Sequence, residues 1–267
     1  MLAMLSVLWT VWGNVTVGVT RYSITSERLP TAFEGYKIVV ISDLHNAQFG
    51  NDNSRIIQIV KKEQPDLIAI TGDLVDSNRT DVQVAVATVR ELQSIAPCCF
   101  VTGNHEGWIG TQYPELEEKL LAENVHILHD RCISIERDGQ KIQLAGLDDP
   151  DFTERSNLDV YRSIQTMLKQ MLVSEDYSIL LSHRPELFEV YVEAGVDLVL
   201  SGHAHGGQIR LPFVGGIVAP DQGLFPKYDA GIYTRNGTKM IVSRGIGNSI
   251  IPIRINNRPE IVVVELK

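Results

Sequence analysis

The stretch LSGHAHGGQIRLP, residues 200–212, sets His203 and His205 one residue apart, after the apolar run VDLVL and before Gly206 and Gly207. A buried histidine needs partners, and a glycine pair marks a backbone that turns tightly. Taken alone, His-x-His reads equally well as two loop histidines or as part of a metal site. Asp43, His45, Asp73, Asn104, His105 and His183 shift that balance, because each also follows a short apolar run: KIVVIS, DLIAIT, CCFVT or SILLS. Two Asp, one Asn and four His (His45, His183, His203, His205) make a nitrogen and oxygen donor set without thiolate. Such a set suits two divalent ions such as Mn, Fe, Zn or Co better than a closed structural zinc site. Seven ligands are one short of two four-ligand sites, so one carboxylate should be shared. Asp73 is the natural bridge, since two ions about 3.5–4 Å apart need an anionic oxygen between them. A water held by both ions would be acidified towards neutrality, and phosphoester hydrolysis is the reaction this arrangement suits best.

The elements that must position these groups are legible from residue 37 onward. Each short β-branched run is followed by a polar loop and then by a helix-like stretch, SRIIQIVKKEQ after the first and TDVQVAVATVRELQ after the second. Asp43 to Asp73 spans 30 residues and Asp73 to Asn104 spans 31, the length of a βαβ unit. The runs read as parallel strands buried on both faces. After a hairpin signal at RDGQ (137–140), strands resume as SILLS, VDLVL, KMIVS and PEIVVVEL. In open α/β sheets the ligand crevice lies beyond the carboxyl ends of the strands, which is where all the candidate ligands fall. Singly, Asp43 reads also as a helix cap, Asn104 as a turn residue and His183 as a core histidine. Their shared placement argues against that.

Composition bounds the rest. The chain has 267 residues, 44% hydrophobic and 21% charged, which fits a packed globular protein. A net charge of −9 offers no basic footprint for a nucleic-acid backbone. Cys98, Cys99 and Cys132 form neither a disulfide framework nor zinc-finger spacing, and point to a reducing compartment. The opening MLAMLSVLWTVW has no Lys or Arg before Arg21, so it lacks the basic start of a secretory signal. It is also shorter than the roughly 20 apolar residues of a spanning helix. Residues 1–14 are expected to be a hydrophobic segment that associates with a membrane, as an interfacial anchor or as the end of a membrane helix whose start lies outside this sequence, with a first core element as the alternative, and residues 15–267 a single domain. Trp9 and Trp12 suit a headgroup boundary.

SDLH, TGDLVD, GNHE, LSHRP and SGHAHGGQ strongly resemble the five ordered motifs of the calcineurin-like metallophosphoesterases, over roughly residues 37–208. The resemblance implies a four-layer α/β/β/α sandwich with a dimetal site at the strand ends. By motif, one metal would take Asp43, His45, Asp73 and His205, and the other Asp73, Asn104, His183 and His203. His105 matches the family's non-ligand histidine, which contacts the scissile phosphate and serves as a candidate acid for the leaving group. The C-terminal run from HGGQIRLP to PEIVVVEL is similar to a bacterial membrane-associated branch, which includes phosphodiesterases and enzymes resembling UDP-2,3-diacylglucosamine hydrolases. GDLVDSNR lacks the Asp-Arg-Gly ending of the protein-phosphatase branch, which argues against protein phosphatase activity.

These observations imply a phosphodiesterase or pyrophosphatase, with a lipid-linked substrate at the cell membrane and the catalytic domain on the cytoplasmic side. A soluble, cytoplasmic phosphodiesterase and a catalytically silent metal-binding scaffold are the alternatives; the oligomeric state is not legible. Glu106 is expected to orient His105 or to cap the next segment. His126 and His129 read as structural, and Asp148, Asp149 and Asp151 as a solvated acidic turn. Val160, Met167, Leu168, Met171 and Leu172 are candidates for an apolar face near the site, or for ordinary core.

Overall fold

The computed structural model describes residues 2–153, 159–248 and 251–267. Two six-stranded sheets carry the architecture. The first contains β1 (Gly18–Ile24), β2 (Lys37–Ile41), β3 (Leu67–Thr71), β4 (Cys98–Val101) and β5 (His126–Ile127). The second is built from β6 (Arg131–Arg137), β7 (Gln140–Gly146), β8 (Ser178–Leu181) and β9 (Leu198–Ser201). Two short hairpins follow, β10 (Arg210–Leu211) with β11 (Gly215–Gly216) and β12 (Val218–Ala219) with β13 (Gly223–Leu224). The chain then adds β14 (Gly231–Arg235) and β15 (Thr238–Val242) to the second sheet, and returns as β16 (Glu260–Leu266) to the first. The sheet orders are β1-β16-β2-β3-β4-β5 and β14-β15-β9-β8-β7-β6. Sheet two has antiparallel β6–β7 and β14–β15 edges around a parallel centre.

The period-2 alternation of each strand builds three separate cores. Ile38 and Val40 of β2 face the second sheet and meet Leu181 and Leu200 there. Val39 and Ile41 face outward, into a core shared with α2 (Ser54–Glu63), α3 (Val82–Gln93) and α5 (Tyr113–Ala122). On the far side Leu180, Val199 and Met240 pack against α6 (Val160–Met171) and α7 (Phe188–Glu193). The result is an α/β/β/α sandwich. Cys98 and Cys99 point to opposite faces of β4, and burial pushes both thiols up to about 12. They are structural.

The structure selects ordinary core for the apolar face of α6. In α6, Ile164 and Leu168 are buried, and Val160, Met167, Met171 and Leu172 pack against the outer core, so this face is spent inside the sandwich rather than near the site. Residues 154–158, just before it, lie outside the described residues. At the N-terminus, α1 (Leu2–Val15) runs on through Gly13 and Asn14, because Asn14 is held at both ends of its amide: it donates to the Thr10 carbonyl and pairs with the backbone of Arg254. Leu8, Trp9, Val11 and Trp12 of α1 are exposed. Among the described residues, no helix is long and apolar enough to cross a membrane.

Candidate dimetal active site

Five loops converge at the carboxyl ends of β2, β3, β4, β8 and β9, where the strands stop and buried polar side chains begin. Asp43, His45, Asp73, His203 and His205 all have positive φ, between 46° and 66°. A left-handed backbone at a non-glycine residue is uncommon and persists where the surroundings enforce it. Glycines clear the space. A Cβ on Gly103 would lie 2.2 Å from Asp73 Oδ1, and one on Gly202 would lie 2.7 Å from Asp43 Oδ2. Bare backbone is required at both positions.

The side chains form two groups around one oxygen. Asp73 Oδ2 lies 3.4 Å from His45 Nε2 and 3.3 Å from His183 Nε2. On one side His45 Nε2 is 3.2 Å from His205 Nε2, which is 3.5 Å from Asp43 Oδ1. On the other, His183 Nε2 is 3.1 Å from both His203 Nδ1 and Asn104 Oδ1. Two atoms each about 2.1 Å from one ion lie roughly 3.0–3.4 Å apart at octahedral or tetrahedral angles. The spacings match that requirement.

The electrostatics point the same way. Burial would raise the carboxyls of Asp43 and Asp73, but the facing histidines outweigh it, and both stay ionised below the usual carboxylate range. Burial pushes His45 down to about 4 and His205 down to about 3, so these imidazoles are neutral, with lone pairs to offer. Burial also opposes a charge on His183, yet Asp73 lifts it to about 10. A cation placed there would take over the compensating role of that proton. The donor set therefore fits two divalent ions that share Asp73.

His105 lies outside the two groups around Asp73 and clusters with His45 and Asp76, a set that could itself hold a cation. Its ring meets His45 edge-on at 4.5 Å, and its Nδ1 accepts a 2.9 Å hydrogen bond from Ser77 N–H. This partner assigns the proton of a neutral ring to Nε2. Glu106 takes the capping role, at the start of the short helix Asn104–Trp108. Its carboxylate accepts from the backbone N–H groups of Asp73 (2.8 Å), Gly103 (2.7 Å), Leu74 (2.9 Å) and Val75 (3.3 Å), so it braces the two ligand loops. Burial, with Asp73 adding to it, pushes Glu106 up to about 7.

Several contributors carry no motif signature. Asp221, far along the chain on the β12–β13 turn, accepts from His203 Nε2 at 2.9 Å, which leaves Nδ1 for the metal side. Arg184 lies 3.3 Å from the same Nε2, bonds Asp221, and is gripped by Asp149 through Nε (2.5 Å) and Nη2 (2.9 Å). Asp148 and Asp149 are buried, so the acidic turn is not solvated: it holds Arg184 and His129. The one available signal was an arginine directly after a candidate ligand. Asp76 is buried with Oδ2 3.7 Å from His45 Nδ1. Arg254, fully buried, donates to the carbonyls of Gly247 and Arg244 at 2.6 Å and reaches to 3.3 Å from His205 Nδ1. A cleft of about 380 Å³, lined in part by His45, Asn46, Arg79 and Pro252, opens beside the first group.

With the geometry in place, comparison with known proteins is decisive. Residues 36–207 match the calcineurin-like phosphoesterase family. The chain belongs to that family. It is 34% identical to the metallophosphoesterase YkuE of Bacillus subtilis (strain 168) over 253 residues, covering 93% of this chain and 85% of that protein. It is 29% identical to phosphodiesterase YaeI of Escherichia coli (strain K12) over 242 residues, covering 86% of this chain and 81% of that protein. The crystal structure of TT1561 of Thermus thermophilus superposes with a TM-score of 0.52 at 13% identity, over 79% of this chain and 89% of that one, a likeness of fold alone. This calcineurin-like phosphoesterase is accordingly a metal-dependent phosphohydrolase.

Proposed function

We propose that the chain is a dinuclear phosphodiesterase or pyrophosphatase in which Asp43, His45, Asp73 and His205 hold one ion and Asp73, Asn104, His183 and His203 the other. The position of Asp73 Oδ2, 3.3–3.4 Å from a histidine nitrogen of each group, carries this reading. A pair of bound divalent ions supplies Lewis acidity and a nucleophile from water near neutral pH. The chain's own residues do the rest. Asp73 offsets the repulsion between the cations, and Glu106 and Gly103 keep it in register. His105 presents Nε2–H to the leaving oxygen, with its ring held by Ser77.

Mn, Fe, Zn and Co all suit the donors. The substrate we infer is a phosphate ester on an amphiphile, of the kind UDP-2,3-diacylglucosamine represents. Residues 15–267 form the catalytic domain on the cytoplasmic side of the cell membrane, with residues 1–14 as a peripheral anchor. The exposed tryptophans of α1 support contact with a membrane.

Elemental analysis and anomalous scattering should find two ions per chain. Replacing Asp73 by Asn should weaken both, because it removes the shared charge. A single ion under metal-replete conditions would overturn the assignment. A panel of bis(p-nitrophenyl) phosphate, p-nitrophenyl phosphate and UDP-2,3-diacylglucosamine, run with each metal, decides the substrate class. Preference for the monoester would refute the diester reading.

A further inference from the structure

Beyond His205 the chain leaves the second sheet and builds short hairpins that carry exposed apolar side chains. The turn of the β10–β11 hairpin carries Phe213, with its side chain wholly in solvent, and Val214, 56% exposed. The β12–β13 hairpin ends on Leu224 and Phe225, 69% and 65% exposed. Segment 251–255 turns Ile251, Ile253 and Ile255 outward while burying Arg254 between them. Hydrogen bonds tie these pieces together. Gln208 donates to the carbonyls of Ile251 and Ile253, Arg210 N–H donates to Ile255, and Phe225 N–H donates to Ile217. Asn14 joins α1 to the same unit through the backbone of Arg254. Pro252 lines the cleft beside His45, so this apolar rim borders the mouth of the site.

We propose that α1, segment 251–255 and the two hairpins form a face that docks on a phospholipid bilayer and sets the metal site against esters held at the lipid surface; it rests on the amphiphilic-substrate reading above. Two observations select a bilayer over a protein partner. The exposed apolar side chains are spread over two short hairpins and a loop, which a fluid surface accepts individually. Between α1 and residues 254–258 lies a cleft of about 230 Å³ lined by Trp9, Trp12, Arg244 and Arg258, with the Arg258 guanidinium 4.7 Å above the Trp12 ring. Tryptophan beside arginine is the chemistry of the headgroup layer, where the ring sits at the boundary and the cation meets lipid phosphate. The net charge of −9 opposes adsorption by the overall field and Arg244 is ion-paired with Glu260, so binding must come from apolar insertion and the Arg258 cation.

Flotation of the full chain with phosphatidylcholine–phosphatidylglycerol vesicles tests this. A second full chain carries Phe213→Ser, Leu224→Ser and Phe225→Ser, none of which touches the metal groups. The parent should float with a blue-shifted tryptophan emission, and the variant should partition about tenfold less or weaker still, because three large side chains no longer leave water. Turnover of soluble bis(p-nitrophenyl) phosphate should be equal in both. A parent that stays with the soluble fraction, or a variant that floats equally well, overturns the proposal. So does a parent that sediments as a dimer while the variant is monomeric and neither floats. Flotation without any phosphodiester hydrolysis would sustain the docking face while refuting the proposed activity.

Discussion

Replacing Asp149 by Asn tests how much the buried Asp149–Arg184 pair contributes. Asp149 is inaccessible and Arg184 nearly so, and the carboxylate grips the guanidinium through both oxygens, at 2.5 and 2.9 Å. The amide keeps the shape but leaves one acceptor and turns an NH₂ group towards the guanidinium. Breaking one partner of a buried ion pair costs about 3–5 kcal/mol, because the other charge stays buried. Here Asp151 at 3.2 Å, Glu186 at 3.6 Å and Asp221 still face Arg184, so the cost should fall at the lower end, about 3 kcal/mol. For a chain of this size that is a fall in Tm of roughly 6–12 °C. Urea unfolding of the metal-free protein reads the loss directly, provided the slope of the transition is unchanged. Arg184 also lies 3.3 Å from His203 Nε2, so occupancy of the second metal position should fall together with stability. A change below about 1 kcal/mol, with full metal content, would refute the reasoning.

Three further outcomes are expected. His105→Ala should retain both metals yet lose about 10²–10⁴-fold in kcat on an alkyl diester, and much less on a p-nitrophenyl diester whose leaving group needs no proton; equal losses on both would assign His105 to phosphate stabilisation instead. Asp221→Ala should weaken one of the two metals by about 10–100-fold in a chelator competition, and Asp221→Asn, which keeps an acceptor for His203 Nε2–H, should weaken it less; two unchanged affinities would remove Asp221 from the site. The hydrogen bond that His129 Nδ1 donates to Asp148 raises the His129 pKa above its ordinary 6.5, against burial, so the folded state holds that proton more tightly than the unfolded chain. This contribution is fully present below about pH 6.5 and is lost as the pH rises through the folded-state value, so the urea midpoint of the parent should decline there relative to His129→Gln; parallel pH profiles would show that the pair is not coupled to folding.

The strand–loop–helix units from residue 37 onward were legible because each is local. β-branched runs alternate with amphipathic stretches at a βαβ period, and a polar residue that ends such a run falls at the carboxyl end of a strand whatever the rest of the chain does. Hence the seven candidate ligands and His105 could be named from spacing, and they do converge at one end of the two sheets. A helical period in α6 establishes that one face is apolar. It does not say what that face meets, and the structure spends it on the outer core.

Tertiary pairing alone decided the remainder. β16 lies between β1 and β2, more than 200 residues away along the chain, and that pairing brings the returning segment with Arg254 to within reach of His205. Asp149 finds Arg184 across 35 residues and Asp221 finds His203 across 18, by way of loops whose sequences carry no period. Glu106 reads as a partner for His105 or as a cap, and it does cap the Gly103 N–H, but its oxygens also go to backbone N–H groups 31–33 residues away. Periodicity reports the conformation of a segment and the chemistry at its end. The partners that hold those end groups in place are set by which segments pack together, and the burial that makes each pairing strong exists only once both sheets have assembled.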